Sequence, residues 1–179
     1  MKKTIVLYRS KYGATKKYAD WLAEELSCDV LDTKQADISK VGQYDIVILG
    51  GGIYAGGIAG LSFIKKHYKA LKDKKIIIFA VGAVPPDAEK NIEDIRARHL
   101  KNDLANIPFF YFRGAWNEEV MTWIDRKLCT MLQKSLVKKD PTKREPWESA
   151  FVQSIGLKLD WTNKESLKPI IEMAMQNEC

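Results

Sequence analysis

Five short apolar runs alternate with segments of helical periodicity along the chain. The runs lie at residues 3–8, 28–32, 44–49, 75–81 and 108–112. Apolar residues at helical spacing predict helices over about 14–26, 57–71, 88–103, 117–138 and 163–176. Alternation of this kind is typical of an α/β fold, in which a parallel sheet carries helices on both faces. Right-handed crossovers and five strands favour the strand order 2-1-3-4-5.

Length and composition suit one folded unit. With 179 residues, of which 46% are hydrophobic, the chain can bury a sizeable core. We expect residues 1–179 to form a single domain with a basic helix and loop extension at about 117–162. Within it, residues 139–162 contain two prolines and predict an irregular insertion before the last helix. No apolar run approaches the roughly 20 residues needed to span a bilayer.

Cysteines and histidines argue against a disulfide framework and a metal site. Cys28, Cys129 and Cys179 are odd in number and far apart, which is typical of a protein in a reducing compartment. With His67 and His99 as the two histidines, no metal centre is expected. The basic start of the chain is followed by an apolar stretch too short for an export signal, so a cytoplasmic location is expected.

The loop at residues 10–15, between the first strand and the first helix, is rich in donors for an anion. Its backbone N–H groups lie at a helix start, where the helix dipole also favours negative charge. Ser10 and Thr15 add hydroxyl groups, Lys11 adds one full charge, and Gly13 lets the backbone turn without a Cβ clash. A cradle of this kind predicts a phosphate monoester as the ligand. The alternative is that Ser10 and Thr15 only cap the helix.

This loop also carries a resemblance to a known family. Its sequence, Ser10-Lys11-Tyr12-Gly13-Ala14-Thr15, resembles the phosphate loop of flavodoxins, whose pattern is Ser/Thr-x-x-Gly-x-Thr. The resemblance implies a flavodoxin-like three-layer sandwich that binds FMN. All six residues of the loop become candidate FMN-binding residues.

A glycine-rich loop is predicted after the third strand, at residues 50–57. It contains the G-x-G-x-x-A spacing of a dinucleotide fingerprint, but the next strand does not end in the acidic residue that such a site needs. By resemblance to flavodoxins, the aromatic side chain of Tyr54 is expected beside the flavin ring. The candidate ring-binding residues are Gly52, Ile53, Tyr54, Ala55 and Gly56. The alternative is that Tyr54 packs on the following helix.

A third loop, small and apolar, follows the fourth strand. We expect it to line another edge of the flavin, where backbone groups tune the electronics of the ring. Its candidate residues are Gly82, Ala83, Val84 and Pro85. The alternative is a plain turn from strand to helix. In either case Asp87 is expected to cap the helix predicted over about 88–103.

The residues after the fifth strand resemble one branch of flavodoxin-like proteins. Gly114-Ala115-Trp116, the pair Asp125-Arg126 and the pair Asp160-Trp161 are similar to segments of the menaquinone-dependent protoporphyrinogen oxidases. This resemblance implies oxidation of a porphyrinogen-type substrate with a quinone as acceptor. It also adds Gly114, Ala115 and Trp116 to the candidate cofactor-binding residues.

The positive charge of the chain is concentrated in one segment. The formal net charge is +6, and residues 126–144 alone carry seven lysines and arginines against Asp140. Val120, Ile124, Leu128, Met131 and Leu132 form an apolar stripe on the predicted helix. One interpretation is a helix that packs its apolar stripe on the core and exposes its basic face to water. The other is a helix that lies on an anionic membrane at its inner face, with residues 126–144 as the contact.

Three classes of function remain open at this point. The leading hypothesis is an FMN-dependent oxidoreductase or electron-transfer protein, in which no side chain acts as a general base or nucleophile and the partner is a quinone or a redox protein. One alternative is an electron carrier that serves protein partners; another is an anion-binding or lipid-binding module without a cofactor. A phosphoacceptor domain is disfavoured because Gly50 follows the third strand where the acceptor aspartate would stand. Specific nucleic-acid binding is not expected, since aromatic and basic residues are not interleaved.

Overall fold

A parallel sheet forms the centre of the molecule. The computed structural model describes residues 2–176, so Met1 and residues 177–179, including Cys179, lie outside it. The strands are β1 (Thr4–Arg9), β2 (Asp29–Asp32), β3 (Ile46–Tyr54), β4 (Gly57–Ile58), β5 (Lys75–Gly82), β6 (Phe109–Arg113), β7 (Ala115–Asn117) and β8 (Lys158–Asp160). The α-helices are α1 (Ala14–Leu26), α2 (Ile38–Val41), α3 (Leu61–Leu71), α4 (Glu89–His99), α5 (Trp123–Lys138), α6 (Pro146–Gln153) and α7 (Lys168–Met175).

The strand order confirms the predicted fold class. Five parallel strands lie in the order β2-β1-β3-β5-β6, which is 2-1-3-4-5 when those five are numbered by themselves. The short β4 pairs antiparallel with the end of β3 and was not predicted. A second, two-stranded antiparallel sheet joins β7 to β8.

Each face of the sheet carries its own apolar core, as alternation along buried strands requires. On one face, β-strand residues such as Leu7 and Leu49 pack with Ile64 of α3. On the other face, Phe79 and its neighbours pack with Leu22 of α1 and Ile170 of α7. These two layers of helices leave the carboxyl ends of the strands free, where the functional loops begin.

The predicted glycine-rich loop belongs partly to β3. This strand does not end at residue 49 but continues to Tyr54, because Gly50 and the two glycines after it pair with β5. A Cβ on Gly50 would lie 2.1 Å from Cζ of Phe79, so the glycine makes room for that ring. The true turn is a hairpin through Ala55 and Gly56, both at positive φ, which returns the chain along β4.

Several helix starts differ from the predictions. The helix expected from residue 57 begins at Leu61, because β4 and Gly60 at φ +82° precede it. The helix expected over 88–103 is α4, which ends at His99. Its N-cap is Ala88 without a side-chain hydrogen bond, so the predicted capping by Asp87 is wrong.

The chain from residue 115 onward is more ordered than predicted. The helix expected over 117–138 begins only at Trp123, because residues 115–117 form β7 and a 3₁₀ turn follows. The expected irregular insertion at 139–162 contains α6 and β8. The two prolines start helical turns there, since a proline at the first helical position loses no hydrogen bond.

Helix α5 does not pack its apolar stripe on the core. Its buried residues are Gln133 and Leu136, whereas Ile124, Leu128 and Met131 are 51%, 52% and 60% exposed. The interpretation of a core-facing helix is therefore wrong. Within residues 2–176, no helix is long and apolar enough to cross a membrane.

Candidate functional site

A cavity of about 420 Å³ opens at the carboxyl-terminal edge of the sheet. The residues that line it from the strand ends are Tyr12, Ala14, Thr15, Ile53, Tyr54, Ala55, Gly56, Val81, Gly82, Ala83, Val84, Gly114, Ala115, Trp116 and Trp161. Its opposite wall consists of Met121, Asp125, Leu128, Cys129, Leu132, Trp147, Ala150, Phe151 and Ser154, mostly from α5 and α6. The volume is within the range of small-molecule sites, and the place is the crevice between β1 and β3 where such sheets bind ligands.

The first loop presents a helix start to this cavity. Gly13 is the N-cap of α1 at φ +96°, and its N–H donates to the Ser10 hydroxyl at 3.0 Å. The first N–H groups of α1, at Ala14 and Thr15, have no helical carbonyl to bind and point outward from the helix start. A Cβ on Gly13 would meet no atom within 4 Å. The position therefore requires glycine because of its positive φ and not because space is lacking.

Tyr54 lies against the first loop in this structure. Its hydroxyl accepts a hydrogen bond of 2.7 Å from the N–H of Lys11, and its ring meets that of Tyr12 edge to face with centroids 5.8 Å apart. Burial raises the pKa of the Tyr54 hydroxyl, which is therefore neutral at neutral pH. An anion bound by this loop would share the Lys11 N–H with the Tyr54 hydroxyl or displace that hydroxyl from it.

Asp125 of α5 reaches the same loop from the opposite wall. Its carboxylate accepts from the Lys11 ammonium and from the Tyr12 hydroxyl. The hydrogen bond from Lys11 has the largest effect, followed by that from Tyr12, and together they hold the pKa of Asp125 below its ordinary value. The carboxylate is therefore charged at neutral pH. The one full positive charge of the loop is thus matched by a carboxylate from a residue far away in sequence.

The third loop is fixed from behind by β6. The Tyr111 hydroxyl donates to the Val84 carbonyl at 2.8 Å, and Nε of Arg113 donates to the Ala83 carbonyl at 3.3 Å. Burial raises the pKa of Tyr111. The Arg113 guanidinium also lies 3.8 Å from the centroid of the Trp161 ring, within cation–π range. These contacts tie the loop to β6 at the edge of the cavity.

The α5–α6 wall is joined to the strand ends by Trp116 and Glu118. The Trp116 ring is buried and meets Phe151 of α6 edge to face with centroids 5.0 Å apart. Glu118 Oε1 accepts from Trp116 Nε1 at 3.3 Å, from Gln133 Nε2 at 2.9 Å and from the Gly156 N–H at 3.3 Å. One carboxylate thereby connects β7, α5 and the turn after α6.

Residues 158–163 close the site beside α1. Nζ of Lys17 lies 2.9 Å from the Asp160 carboxylate and 2.8 Å from the Thr162 hydroxyl. The Tyr18 hydroxyl donates to the Arg113 carbonyl and accepts from the Asn163 N–H. The segment that carries Trp161 is therefore held against the same helix whose start forms the first loop.

Most of the predicted site residues come together in this cavity. Those that do not line it are Ser10, Lys11, Gly13, Gly52 and Pro85. Ser10, Lys11 and Gly13 shape the first loop from outside the cavity, and Gly52 lies within β3 under Tyr54. Tyr54 contacts the first loop through Lys11 and Tyr12.

Sequence reasoning missed the α5–α6 wall. The available signal was the spacing of Trp147, Ala150, Phe151 and Ser154, which places one face of a helix toward a ligand. In the sequence, Pro146 predicts an interruption, whereas in the structure it begins a helix. In the sequence, Asp125 stands out only as a member of the pair Asp125-Arg126.

The cavity fits the expected FMN. A helix start with free N–H groups faces one end, and the remaining lining is mostly apolar and aromatic, as a flat ring requires. Cys129 lines the cavity with a pKa raised by burial, so its thiol is protonated. Within residues 2–176, no group of three or more His, Cys, Asp or Glu side chains could hold a metal ion.

Comparison with known proteins identifies related sequences. A family model described as a flavodoxin domain matches residues 5–144. A protoporphyrinogen IX dehydrogenase (quinone) of Leishmania major is 29% identical over 144 residues, which cover 74% of this chain and 62% of that protein. The chain thus spans less than two thirds of that relative's length. The protein of the same name from Escherichia coli strain K12 is 26% identical over 184 residues, covering 93% of this chain and 99% of the relative.

Solved structures show similar folds at low identity. The oxidised flavodoxin 1 of Bacillus cereus has a TM-score of 0.43 and 18% identity, covering 86% of this chain and 99% of its own. A Lactobacillus acidophilus flavoprotein in complex with FMN has a TM-score of 0.43 and 19% identity, covering 63% and 93%.

Proposed function

The chain belongs to the flavodoxin domain family, and from that premise we propose that it binds FMN in the cavity described above. The N–H groups of Tyr12, Ala14 and Thr15 and the hydroxyls of Ser10 and Thr15 would hold the phosphate. The ring would lie between the hairpin at Tyr54 and the third loop at Val84. The support is that these segments converge on one cavity although they are far apart in sequence.

We further propose that the protein is an oxidoreductase that takes electrons from a porphyrinogen-type substrate and passes them to a quinone. Bound FMN would supply the redox chemistry, while the electrons and protons lost by the porphyrinogen convert quinone to quinol. The observation that carries this proposal is the apolar wall of α5 and α6. Its residues Leu132 and Phe151 line the same cavity as the three loops proposed to hold FMN. Such a wall suits a flat, hydrophobic co-substrate. Two relatives named as quinone-dependent protoporphyrinogen IX dehydrogenases agree with it.

An electron carrier that serves protein partners is the second candidate function. It is favoured by the exposed apolar residues of α5 next to the cavity mouth, such as Leu128, which a redox protein could contact. In that case FMN would still bind, but small-molecule turnover would be absent. The two functions therefore agree on the cofactor and differ in the substrate.

The test is to load the purified protein with FMN and to supply protoporphyrinogen IX and menaquinone without oxygen. We expect protoporphyrin fluorescence to rise only when protein, FMN and quinone are all present. A yellow protein that gives no porphyrin, yet exchanges electrons with a redox protein, would establish the carrier. A protein that takes up no FMN would leave the cofactor-free binding module.

Two variants on one helix sharpen this test. Leu132 lines the cavity, whereas Val137 is exposed on α5 away from it. Leu132→Ala should raise KM for the porphyrinogen or the quinone about tenfold, as expected for lost methyl groups in an apolar pocket. Val137→Ala should leave KM unchanged. Equal effects of the two substitutions would rule out the α5–α6 wall as the substrate surface.

A further inference from the structure

The exposed side of α5 combines an apolar stripe with a row of lysines. Ile124, Leu128 and Met131 follow one another at helical spacing and are each more than half exposed, and Trp123 at the start of the helix is 73% exposed. Lys127 and two further lysines, Lys134 and Lys138, lie on the adjacent strip of the helix. We call these seven residues the α5 face.

The lysines of the α5 face are free to meet an external partner. Within residues 2–176, none of the three takes part in an ion pair or a side-chain hydrogen bond. Three of the other four basic residues in 126–144 are engaged, Lys143 being the fourth: Arg126 binds the carbonyls of Glu118 and Glu119, Lys139 pairs with Glu148, and Arg144 binds the carbonyls that end α5. Apart from Lys143, the positive charge that remains available in 126–144 therefore lies beside the exposed apolar stripe.

We propose that the α5 face docks on the surface of an anionic lipid bilayer. An interfacial helix needs apolar side chains that enter the acyl boundary and basic residues that meet anionic headgroups, and a tryptophan is favourable at that depth. Both parts are present side by side on one exposed helix. A second copy of the chain fits less well, because a symmetric contact would bring the lysines of two copies together.

Docking in this way would place the cavity mouth at the membrane. Leu128 belongs to the α5 face and also lines the cavity, and Leu132 lies beside it with 39% of its surface exposed. A continuous apolar path therefore leads from the helix surface into the site. Delivery of a lipid-soluble quinone along this path, without passage through water, rests on the proposed function. The docking of the α5 face on the bilayer does not depend on that function.

The experiment is co-sedimentation of the FMN-loaded protein with vesicles of phosphatidylglycerol and phosphatidylcholine in equal parts, compared with phosphatidylcholine alone. We expect strong binding to the anionic vesicles that falls as salt is added. Met131→Glu should weaken binding at least about tenfold, because it places a charge where an apolar side chain would enter the acyl region of the bilayer. The matched control is Met175→Glu, which changes an equally exposed methionine on α7 and should bind as the wild type does.

The charge contribution has its own matched pair. Changing Lys127, Lys134 and Lys138 together to glutamine should weaken binding on the order of 100-fold, at about fivefold for each lysine. The control triple of Lys66, Lys69 and Lys72, exposed on and just after α3, removes the same charge elsewhere and should have a much smaller effect. Equal losses from both triples, or equal binding to neutral vesicles, would overturn the proposal.

The remaining outcomes separate this proposal from the FMN proposal. A dimer that Met131→Glu converts to a monomer, without vesicle binding by the wild type, would assign the α5 face to a second copy and refute docking on lipid. Yellow protein that ignores anionic vesicles also refutes docking and leaves FMN binding intact. Colourless protein that binds the vesicles refutes FMN binding alone.

Discussion

At Gly13 the backbone conformation, not the space around it, dictates the residue. The φ of +96° is unfavourable for any residue with a Cβ, and no atom lies within 4 Å of where that Cβ would be. Gly156, at φ +71° and with equally open surroundings, has the same backbone requirement in the turn after α6, where its N–H donates to Glu118. The two glycines form a natural pair for separating backbone strain from ligand binding.

We predict that Gly13→Ala and Gly156→Ala each lower the free energy of unfolding by about 1–2 kcal/mol, which urea denaturation would measure. Gly13→Ala should also weaken FMN binding, by about tenfold, because one charge-assisted hydrogen bond from the loop is misplaced. Gly156→Ala strains a turn that offers no donor to the phosphate, so it should weaken FMN binding less. Titration of the apoprotein by FMN fluorescence quenching would show this. Equal FMN affinities in the two variants would mean that the first loop does not hold the phosphate.

Asp125 is an anion held at the loop that is proposed to bind an anion. Asp125→Asn leaves the Lys11 ammonium without its partner, so we predict that FMN binds about fivefold more tightly, as removal of one nearby like charge in a solvated site suggests. Asp20→Asn is the control, since it breaks the Lys16–Asp20 ion pair on α1 away from the cavity. Weaker FMN binding by Asp125→Asn would instead assign Asp125 to holding the loop in shape.

Among the elements, those built on continuous apolar runs were predictable and those built on loop chemistry were not. The five parallel strands and α1 follow directly from periodicity, since burial of each run on the sheet leaves few arrangements. The extension of β3 through Gly50 was not predictable, because it depends on the Phe79 ring of a neighbouring strand. Likewise, β7 and β8 have too few residues to show a pattern and are defined by pairing with each other.

The candidate site was predictable to the same extent. The loops after β1, β3 and β5 were located because parallel strands end at one edge. The contacts of Asp125 with Lys11 and Tyr12 join positions more than a hundred residues apart, and no local signal marks them. The exposed stripe of α5 has the same periodicity as a core-facing stripe, so sequence alone left both interpretations open.

The element β8 is attached to α1 by an ion pair whose contribution should depend on pH. Burial alone would raise the pKa of Asp160, but hydrogen bonds from Thr162 and Lys17 outweigh it and lower the pKa from 3.8 to about 2. Because the pKa is lowered by folding, the stabilisation is present above the unfolded value and is lost as the pH falls toward 2.

We therefore predict that Asp160→Asn lowers the free energy of unfolding by about 1 kcal/mol or less at about pH 5 and above, since the pair is largely exposed. The difference from the wild type should shrink between pH 4 and 2, as followed by urea denaturation at each pH. A difference that stays constant over that range would show that Asp160 acts through its turn with Thr162 and not through its charge.

On the scale of the whole molecule, the cavity lies apart from the two apolar cores. Both faces of the sheet are covered by helices, while the site lies beyond the strand ends and is enclosed by segments between Tyr12 and Trp161. A ligand bound there would hold the α5–α6 wall to the sheet, where Trp116 and Glu118 now make the connection. Ligand binding should therefore stabilise the fold as a whole and not one loop alone.

We predict that FMN at about 100 times its Kd adds about 2.7 kcal/mol to the free energy of unfolding, which raises the Tm by about 5–10 °C for a chain of this size. Riboflavin presents the same ring without the phosphate, so at equal concentration its shift should be much smaller. Differential scanning fluorimetry with an extrinsic dye outside the flavin emission, or calorimetry, would measure both. Equal shifts from FMN and riboflavin would mean that the ring alone is recognised and that the donors at the start of α1 contribute nothing, which would contradict the binding mode proposed for this cavity.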